Sequence, residues 1–450
     1  KVFFLFLSIH LVIWTLIPSI SNINLPLDTI EALAWGSNLS WGFNKHPPFS
    51  AFSVELFYQI FGNQDWAYYL LSQIFVVFSF LVVFKFANDF FNNKKLAFVS
   101  VLLLEGIFFY NYTTPEFNVN ISQMPFWILS IFFTWRCIKN TRVLDHLLLG
   151  LVIGLGILSK YLFLYLVAGI ILLFIYLKIY KKNKLKVANC IITLIVALII
   201  ISPHLFWLLE NNFITINYGL QRTGVKENIY EHITLPLTFV FKQLLIFVPF
   251  FFMIFFLINR FHKIKIEKNE KSIFLFFIFL IPIILVIFTS FTLGAKIRTM
   301  WMTPFYLISG VYFLELFKKR VNFKNIKKFS FLFLLLFILS PILYLFISLS
   351  NDFKRTDYPG KEIARLVQNK WDDNFRNEIM VVVGDEWFAG NLSYHLESRP
   401  KWMLDLKENA INLKTNEGVI YTGNPKILKK ICPGVYGAIK PVGYCMIGTR

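Results

Sequence analysis

Long apolar runs separated by short polar segments fill the first 350 residues of the chain. A run of roughly 17 to 25 mostly apolar residues is long enough to cross the hydrocarbon layer of a bilayer as a helix. Eleven such runs lie at about residues 2–20, 66–84, 96–112, 121–135, 147–160, 161–177, 187–208, 235–258, 273–293, 299–316 and 330–349. The pattern predicts an α-helical polytopic membrane protein with about eleven transmembrane helices.

The pattern changes near residue 351. Residues 361–370 have helical periodicity, and the runs Ile379–Val383 and 418–421 are typical of strands. We therefore predict two domains, a transmembrane domain over residues 1–350 and a small α/β domain outside the membrane over residues 351–450.

The composition supports a membrane protein, since 56% hydrophobic residues and a mean hydropathy of +0.60 leave too few polar residues to cover a soluble globule. The first apolar run lacks a small-residue cleavage site and is interpreted as a retained anchor.

The basic residues predict the orientation. Alternate connections (85–95, 136–146, 178–186, 259–271 and 317–328) hold 22 Lys and Arg, whereas the opposite ones (21–65, 113–120, 211–234 and 294–298) hold 5. By the positive-inside rule the first set is cytoplasmic, so the second set and the tail lie on the outer side. This distribution also argues against a nucleic-acid partner, because such a protein gathers its basic residues on one soluble face.

Two of the four cysteines, Cys432 and Cys445, fall in the tail and flank a stretch rich in Pro and Gly. In an oxidising compartment such a pair favours a disulfide.

The first outer loop carries two carboxylates followed by a Lys-His-Pro-Pro turn. Asp28 and Glu31 are three residues apart and share one face of a helix. Lys45 and His46 precede two prolines, which form a stiff turn. The alternative is structural: Asp28 and Glu31 could form a capping box, and Lys45 could extend to the interface.

The remaining outer segments add amides and cations. The candidates are Glu116, Asn118, Asn120, Lys160, His204, Arg222, Lys296 and Arg298. Several separate loops thus predict one interfacial site for a phosphorylated, hydroxyl-rich substrate. Glu116, Asn118 and Asn120 could instead cap the following helix. The chain has no phosphate-binding loop and no Cys/His metal motif, and we assign it no cofactor or metal ligand.

An ordered set of these motifs resembles the bacterial branch of the protein O-mannosyltransferase superfamily, which includes the lipid A aminoarabinose transferase. The matching segments are residues 28–36, 42–48, 116–120, 159–160, 203–207 and 294–301, with a weaker similarity at 389–396. In that family the acid of the first outer loop lies at the catalytic centre, and Asp28 stands at the matching position. Some relatives have adjacent Asp and Glu there, whereas here Thr29 follows Asp28.

The resemblance implies a GT-C type glycosyltransferase of the bacterial inner membrane with its active site facing the periplasm. Its donor would be a sugar on a polyprenyl (undecaprenyl) phosphate, and its acceptor an envelope glycolipid or glycan such as lipid A or lipopolysaccharide. A protein acceptor remains an alternative, as does a transporter or flippase of polyprenyl-linked glycans. In a transporter we would expect ionisable groups near the bilayer midplane and two related halves of the chain. In this sequence the ionisable groups lie at the outer ends of the spans, and no two related halves are found.

The chemistry of such a donor assigns roles to the candidates. A lipid monophosphate leaves, and cations stabilise its charge, for which we predict Lys160, Lys296 and Arg298. Asp28 is the predicted base in a direct inverting displacement, with Glu31 as the second catalytic carboxylate. The remaining candidates, listed here, would bind substrate: Lys45, His46, Glu116, Asn118, Asn120, His204 and Arg222.

Overall fold

A computed structural model describes residues 1–181, 186–224, 228–258, 269–351, 354–404, 417–439 and 441–450. Up to residue 351 the described chain is helical. Its α-helices are α1 Val2–Ser21, α2 Leu27–Gly36, α3 Phe49–Phe61, α4 Asp65–Phe91, α5 Lys94–Leu102, α6 Val119–Asn140, α7 Val143–Ser159, α8 Phe163–Tyr180, α9 Val187–Glu210, α10 Ile214–Thr223, α11 Ile229–Ile246, α12 Val248–Leu257, α13 Glu270–Leu275, α14 Ile281–Leu293, α15 Ser309–Leu316 and α16 Ile326–Ser350.

The chain is a multi-span membrane protein. Among the described residues, six helical segments are long and apolar enough to span a bilayer: α1, α4, α8, α9, Glu270–Leu293 and Phe323–Ser350. The pair formed by α11 and α12, bent by 47°, makes a seventh if it is one span. The predicted count of eleven is not confirmed. Helix α7 is apolar but shorter than these, with 17 residues.

Two predicted spans are interrupted rather than continuous helices. The run 96–112 consists of α5 and two short 3-10 turns, and the run 299–316 consists of two 3-10 turns and α15. The two runs pack together: the Tyr110 hydroxyl donates to the Thr303 carbonyl at 2.6 Å, and a methyl group on Gly310 would lie 2.2 Å from the Ser100 carbonyl oxygen. Irregular backbone within the membrane is tolerated where it is buried in protein and its polar groups find partners there.

The predicted outer loop 21–65 is largely helical, because it contains α2 and α3. Helix α2 begins at Leu27 after Pro26, whose fixed φ of −61° suits a helix start. The loop therefore places Asp28 and Glu31 on a rigid element.

The tail forms an α/β unit, with α17 Gly360–Asp372, β1 Ile379–Val383, α18 Phe388–His395, β2 Lys401–Met403, β3 Gly418–Gly423, α19 Pro425–Ile431, β4 Val435–Ile439 and β5 Val442–Ile447. The strand order is β2-β1-β3-β5-β4. Strand β1 is parallel to β2 and β3, and β5 is antiparallel to β3 and β4. A disulfide joins Cys432, after α19, to Cys445 in β5.

The α/β unit packs on the helical part through α18, which lies against α2. A methyl group on Gly390 would lie 3.1 Å from Ala34 Cβ and 3.2 Å from Ile30 Cγ2, so glycine permits the two helices to approach closely. The unit therefore covers the helix that carries the candidate carboxylates.

Candidate active site

A cavity of about 940 Å³ lies beside the N-terminal half of α2. Its wall brings together Asp28, Glu31, Lys45, His46, Asn120, Lys160, Arg222 and Arg298 from the predicted set. These residues come from α2, the loop after it and four later segments, so the convergence predicted from the sequence is present in the fold. The wall also contains apolar side chains, among them Leu164 and Ala168 of α8 and Leu285 of α14.

Asp28 and Glu116 form a carboxylate pair at the start of α2. The backbone N–H of Asp28 donates to Glu116 Oε1 at 3.1 Å. The capping residue of α2 is Pro26 and makes no side-chain cap, so the alternative of a capping box built from Asp28 and Glu31 is not what the structure contains.

The pKa of both carboxyl groups lies above its ordinary range. Burial raises the pKa of Asp28, and the charges of Lys160, Lys45 and Arg298 oppose that rise. Burial, followed by the nearby charge of Asp28, raises the pKa of Glu116 to about 8. At neutral pH one of the two can therefore carry a proton while the other is ionised.

Glu31 is held by Lys45, whose Nζ donates to Glu31 Oε1 at 2.8 Å. The same Nζ lies 3.1 Å from Glu386 Oε1 in the α/β unit. Sequence reasoning missed Glu386, which is 341 residues from Lys45 and has no local signal linking it to the site.

Lys160 lies between α7 and α8, where the sequence placed the boundary of two spans, and only 4% of it is exposed. Its Nζ donates to Asn120 Oδ1 at 2.6 Å and lies 4.9 Å from the centre of the Trp301 ring. Burial of an ammonium without a carboxylate partner in hydrogen-bonding contact is costly, which is a feature of ion-binding sites.

The two other predicted phosphate ligands differ in position. Arg298 lines the cavity and is exposed. Lys296 is exposed and is not part of the cavity wall, although its backbone N–H donates to the Thr223 carbonyl at 2.9 Å. The structure therefore does not bring Lys296 into the site.

The two predicted histidines have different surroundings. Burial, together with the nearby charges of Lys160 and Lys45, lowers the pKa of His46 to about 3, so its ring is neutral in the cavity wall. His204 lies outside the wall. Its Nδ1 is 2.6 Å from the Trp41 carbonyl oxygen and its Nε2 is 2.6 Å from the hydroxyl of Tyr161, which does line the cavity.

The three predicted polar residues at the start of α6, namely Glu116, Asn118 and Asn120, have separate roles. Asn118 caps the helix, because its Oδ1 accepts from the N–H groups of Asn120 and Ile121 at 2.9 and 3.2 Å. Asn120 contacts Lys160, and Glu116 contacts the start of α2. The capping alternative therefore describes Asn118 but not its two neighbours.

A second cavity, of about 460 Å³, adjoins the first. Both cavities are lined by Asp28, Arg298 and Arg355, and the second also contains Glu116 and Lys354. Asp28 thus faces two spaces of different size. Arg355 was not predicted from the sequence. Its place shortly after the last predicted span, 330–349, on the predicted outer side, could have indicated it.

The cavities include further polar side chains that the sequence did not single out, namely Tyr161, Tyr165, Thr215, Tyr218 and Trp301 in the larger one and Tyr112 and Tyr344 in the smaller one. Across the described part of the chain, no group of three or more His, Cys, Asp or Glu is placed to hold a metal ion.

Comparison with known proteins finds similarity to one family over part of the chain. Residues 45–207 match the dolichyl-phosphate-mannose-protein mannosyltransferase family. A segment of 136 residues is 29% identical to the undecaprenyl phosphate-α-4-amino-4-deoxy-L-arabinose arabinosyl transferase of Wigglesworthia glossinidia brevipalpis, covering 29% of this chain and 24% of that protein. A segment of 196 residues is 26% identical to the lipopolysaccharide core galacturonosyltransferase RgtB of Rhizobium johnstonii, covering 42% of this chain and 38% of that protein.

The fold can be compared over nearly the whole chain. ArnT from Cupriavidus metallidurans, in a crystal structure bound to undecaprenyl phosphate, superposes with a TM-score of 0.65 and 12% identity, over 98% of this chain and 97% of that one. At this identity the likeness concerns the fold, while the sequence matches span well under half of the two curated relatives. Together these matches support the resemblance found in the sequence: residues 45–207 are similar to a polyprenyl-phosphate-sugar glycosyltransferase family, and the fold is similar to that of ArnT over nearly the whole chain.

Proposed function

We propose that this protein is an integral membrane glycosyltransferase that moves a sugar from a polyprenyl phosphate donor to a hydroxyl or phosphate of an envelope acceptor. The observation that carries the proposal is the position of Asp28, which faces both cavities and has Lys160, Arg298 and Arg355 around it. A base placed between two cavities can accept a proton from the acceptor, and cations close to it can stabilise the leaving phosphate. This arrangement is suited to the transfer of a sugar from a lipid phosphate.

The larger cavity suits the donor. Its charged side chains include Lys45, Lys160 and Arg298, and its apolar side chains include residues of α8 and α14. A phosphate attached to a long apolar chain needs both surfaces. The ArnT crystal structure of the same fold is bound to undecaprenyl phosphate, and the name of the arabinosyl transferase relative contains the same lipid phosphate.

The reaction is a direct displacement. The acceptor oxygen attacks the anomeric carbon, the bond from that carbon to the phosphate oxygen breaks, and the electron pair leaves with the lipid phosphate. Asp28 takes the acceptor proton. Lys160 and Arg298 stabilise the negative charge of the leaving group. Burial lowers the pKa of Lys160 to about 7, and a bound phosphate favours its charged form, which acts there with little screening. Inversion of the anomeric centre follows from a single displacement.

The smaller cavity suits a negatively charged acceptor, because Arg298, Lys354 and Arg355 are in its wall. The name of one relative specifies the lipopolysaccharide core, so lipid A or lipopolysaccharide is the acceptor class that we propose. The excess of Lys and Arg in alternate connections supports a bacterial inner membrane location with this site facing the periplasm.

The test is the release of free polyprenyl phosphate by purified protein when both sugar-charged donor and acceptor are present. Asp28→Asn keeps the size of the side chain and removes its basicity, so we expect donor binding to persist and transfer to fall by about 10²-fold or more. Glu31→Gln should be milder if Glu31 only orients substrate.

The matched control is Asp65→Asn, because Asp65 is another outer carboxylate that lies outside both cavities and accepts a hydrogen bond from Tyr394 at 2.7 Å. An asparagine oxygen can still accept that bond, so transfer should persist. Near-normal transfer by the Asp28→Asn protein would contradict the assignment of the base, and loss in Glu31→Gln alone would exchange the two roles.

A further inference from the structure

The α/β unit reaches the candidate active site through one side chain, Glu386. Only 6% of Glu386 is exposed. Its Oε1 accepts a hydrogen bond from Asn44 Nδ2 at 3.1 Å and lies 3.1 Å from Lys45 Nζ. Lys45 Nζ also donates to Glu31 Oε1 at 2.8 Å, so one ammonium connects a carboxylate of α2 with a carboxylate of the α/β unit.

The turn that carries Glu386 has a defined shape. Gly384 has φ of +146°, and a methyl group there would lie 2.0 Å from Thr422 Oγ1, so the turn requires glycine. Asp385 Oδ1 accepts from the N–H groups of Trp387 and Phe388, both at 2.9 Å, which fixes the start of α18. Glu386 is therefore held between two constrained neighbours.

The α/β unit is also attached to both ends of α2. Before the helix, Asn24 Nδ2 donates to Asn391 Oδ1 at 2.8 Å. At its other end, Arg399 Nη2 donates to the Leu33 carbonyl at 2.7 Å and to Glu55 Oε2 of α3 at 2.9 Å. Glu386 consequently has a set position relative to the helix that bears Asp28.

We infer that Glu386 is a positioning residue that holds the Lys45 ammonium in the cavity wall, so that the α/β unit completes the active site. The inference rests on the proposed function. Lysine is a point charge on a flexible stem with three donors, and two carboxylates direct it better than one. With two N–H bonds directed at Glu31 and Glu386, one donor remains for the anionic substrate.

A contact that merely joined the two parts of the protein would not affect donor use through Lys45, so a mutant cycle separates the two roles. We expect Glu386→Gln to raise the KM for sugar-charged undecaprenyl phosphate about tenfold, the size expected for one charged hydrogen bond, with a smaller change in kcat. In a Lys45→Ala background the same substitution should have no further effect. Glu386→Asp, which keeps the charge but is one methylene shorter, should resemble Glu386→Gln and provides a second variant if one of them does not fold.

Tyr394→Phe is the matched control, because it removes a different hydrogen bond between the two parts, from Tyr394 to Asp65. It should lower thermal stability without changing the KM for the donor. A donor KM that is unchanged in both Glu386 variants, or an effect that simply adds to that of Lys45→Ala, would overturn the inference while leaving the proposed function intact. Failure of the wild-type protein to bind undecaprenyl phosphate and to transfer sugar would overturn both.

Discussion

At the scale of single residues, the arrangement that most constrains the chemistry is the pair formed by Asp28 and Glu116. Both carboxyl groups have a raised pKa, but the cations Lys160, Lys45 and Arg298 favour the charged form of Asp28. The environment thus separates a proton-bearing group from an ionised one, as in other sites with paired acids. This separation supports the proposed role of Asp28 as the base and leaves Glu116 able to donate a hydrogen bond.

The raised pKa of Glu116 predicts a pH dependence of both activity and stability. Above a pH of about 8, ionised Glu116 adds a second negative charge beside Asp28 in the wall of the smaller cavity and repels a negatively charged acceptor there, so transfer should decline. Glu116→Gln imitates the protonated form and should lack this alkaline limb. A limb that is unchanged in the Glu116→Gln protein would show that another group controls it.

The stability effect has a definite sign. From pH 4.5 to about 8, the folded state binds more protons at Glu116 than the unfolded state, so the free energy of unfolding contributed by this group falls as pH rises through that window. Glutamine cannot titrate. The Tm of Glu116→Gln relative to wild type should therefore increase between pH 5 and about 8, as measured by thermal unfolding in detergent.

The cations of the site give a second prediction at this scale. Lys160→Ala should weaken donor use by about 1.5–3 kcal/mol, because a buried charge partner of the phosphate is lost. Arg298→Ala should cost less, since solvent screens an exposed side chain. Lys296→Ala should leave the donor KM unchanged, because Lys296 lies outside the cavity wall. Equal losses in the three variants, measured by steady-state transfer, would contradict the positions that the structure gives them.

At the scale of elements, apolar content predicted which segments belong to the helical membrane part better than it predicted which of them are continuous helices. The runs 2–20, 187–208 and 330–349 correspond to α1, α9 and α16. The runs 96–112 and 299–316 are also mostly apolar but contain 3-10 turns, and they pack against each other, with a backbone carbonyl of one bonded by a side chain of the other. A single-sequence pattern carries no information about which apolar runs meet, so their interruption was not predictable.

The packing of α18 on α2 can be tested with a glycine substitution. Gly390→Leu places a side chain where a single methyl group already meets Ala34 and Ile30 at 3.1 and 3.2 Å. We expect a loss of stability of about 1–3 kcal/mol, together with reduced transfer, because α2 carries Asp28. Gly423→Ala is the control, since a methyl group there has its nearest neighbour at 3.6 Å, an ordinary contact. Transfer and thermal stability equal to wild type in Gly390→Leu would show that the position of α2 does not depend on α18.

At the scale of the whole molecule, the candidate site is assembled from parts that are distant in the sequence. The sequence predicted eight side chains of the larger cavity wall, namely Asp28, Glu31, Lys45, His46, Asn120, Lys160, Arg222 and Arg298. It did not predict that the α/β unit closes over α2, because contacts such as Arg399 to Glu55, 344 residues apart, have no periodic or local signature. The unit was predicted correctly as an α/β element, but its connection to Lys45 depends on three-dimensional packing alone.

The orientation of the molecule leads to a prediction about its cysteines. If the α/β unit faces the periplasm, the disulfide between Cys432 and Cys445 should prevent alkylation of both until a reductant is added. A membrane-impermeant maleimide should then label Cys432, which is half-buried, more readily than the buried Cys445, in cells with a permeabilised outer membrane and an intact inner membrane. Cys190, which is half-buried near the start of α9 on the predicted cytoplasmic side, is the internal control and should react only after the inner membrane is opened. If Cys190 reacts while the inner membrane is intact and the two tail cysteines do not, the orientation is opposite to the predicted one. Asp28 would then lie on the cytoplasmic side, where a periplasmic acceptor could not reach it.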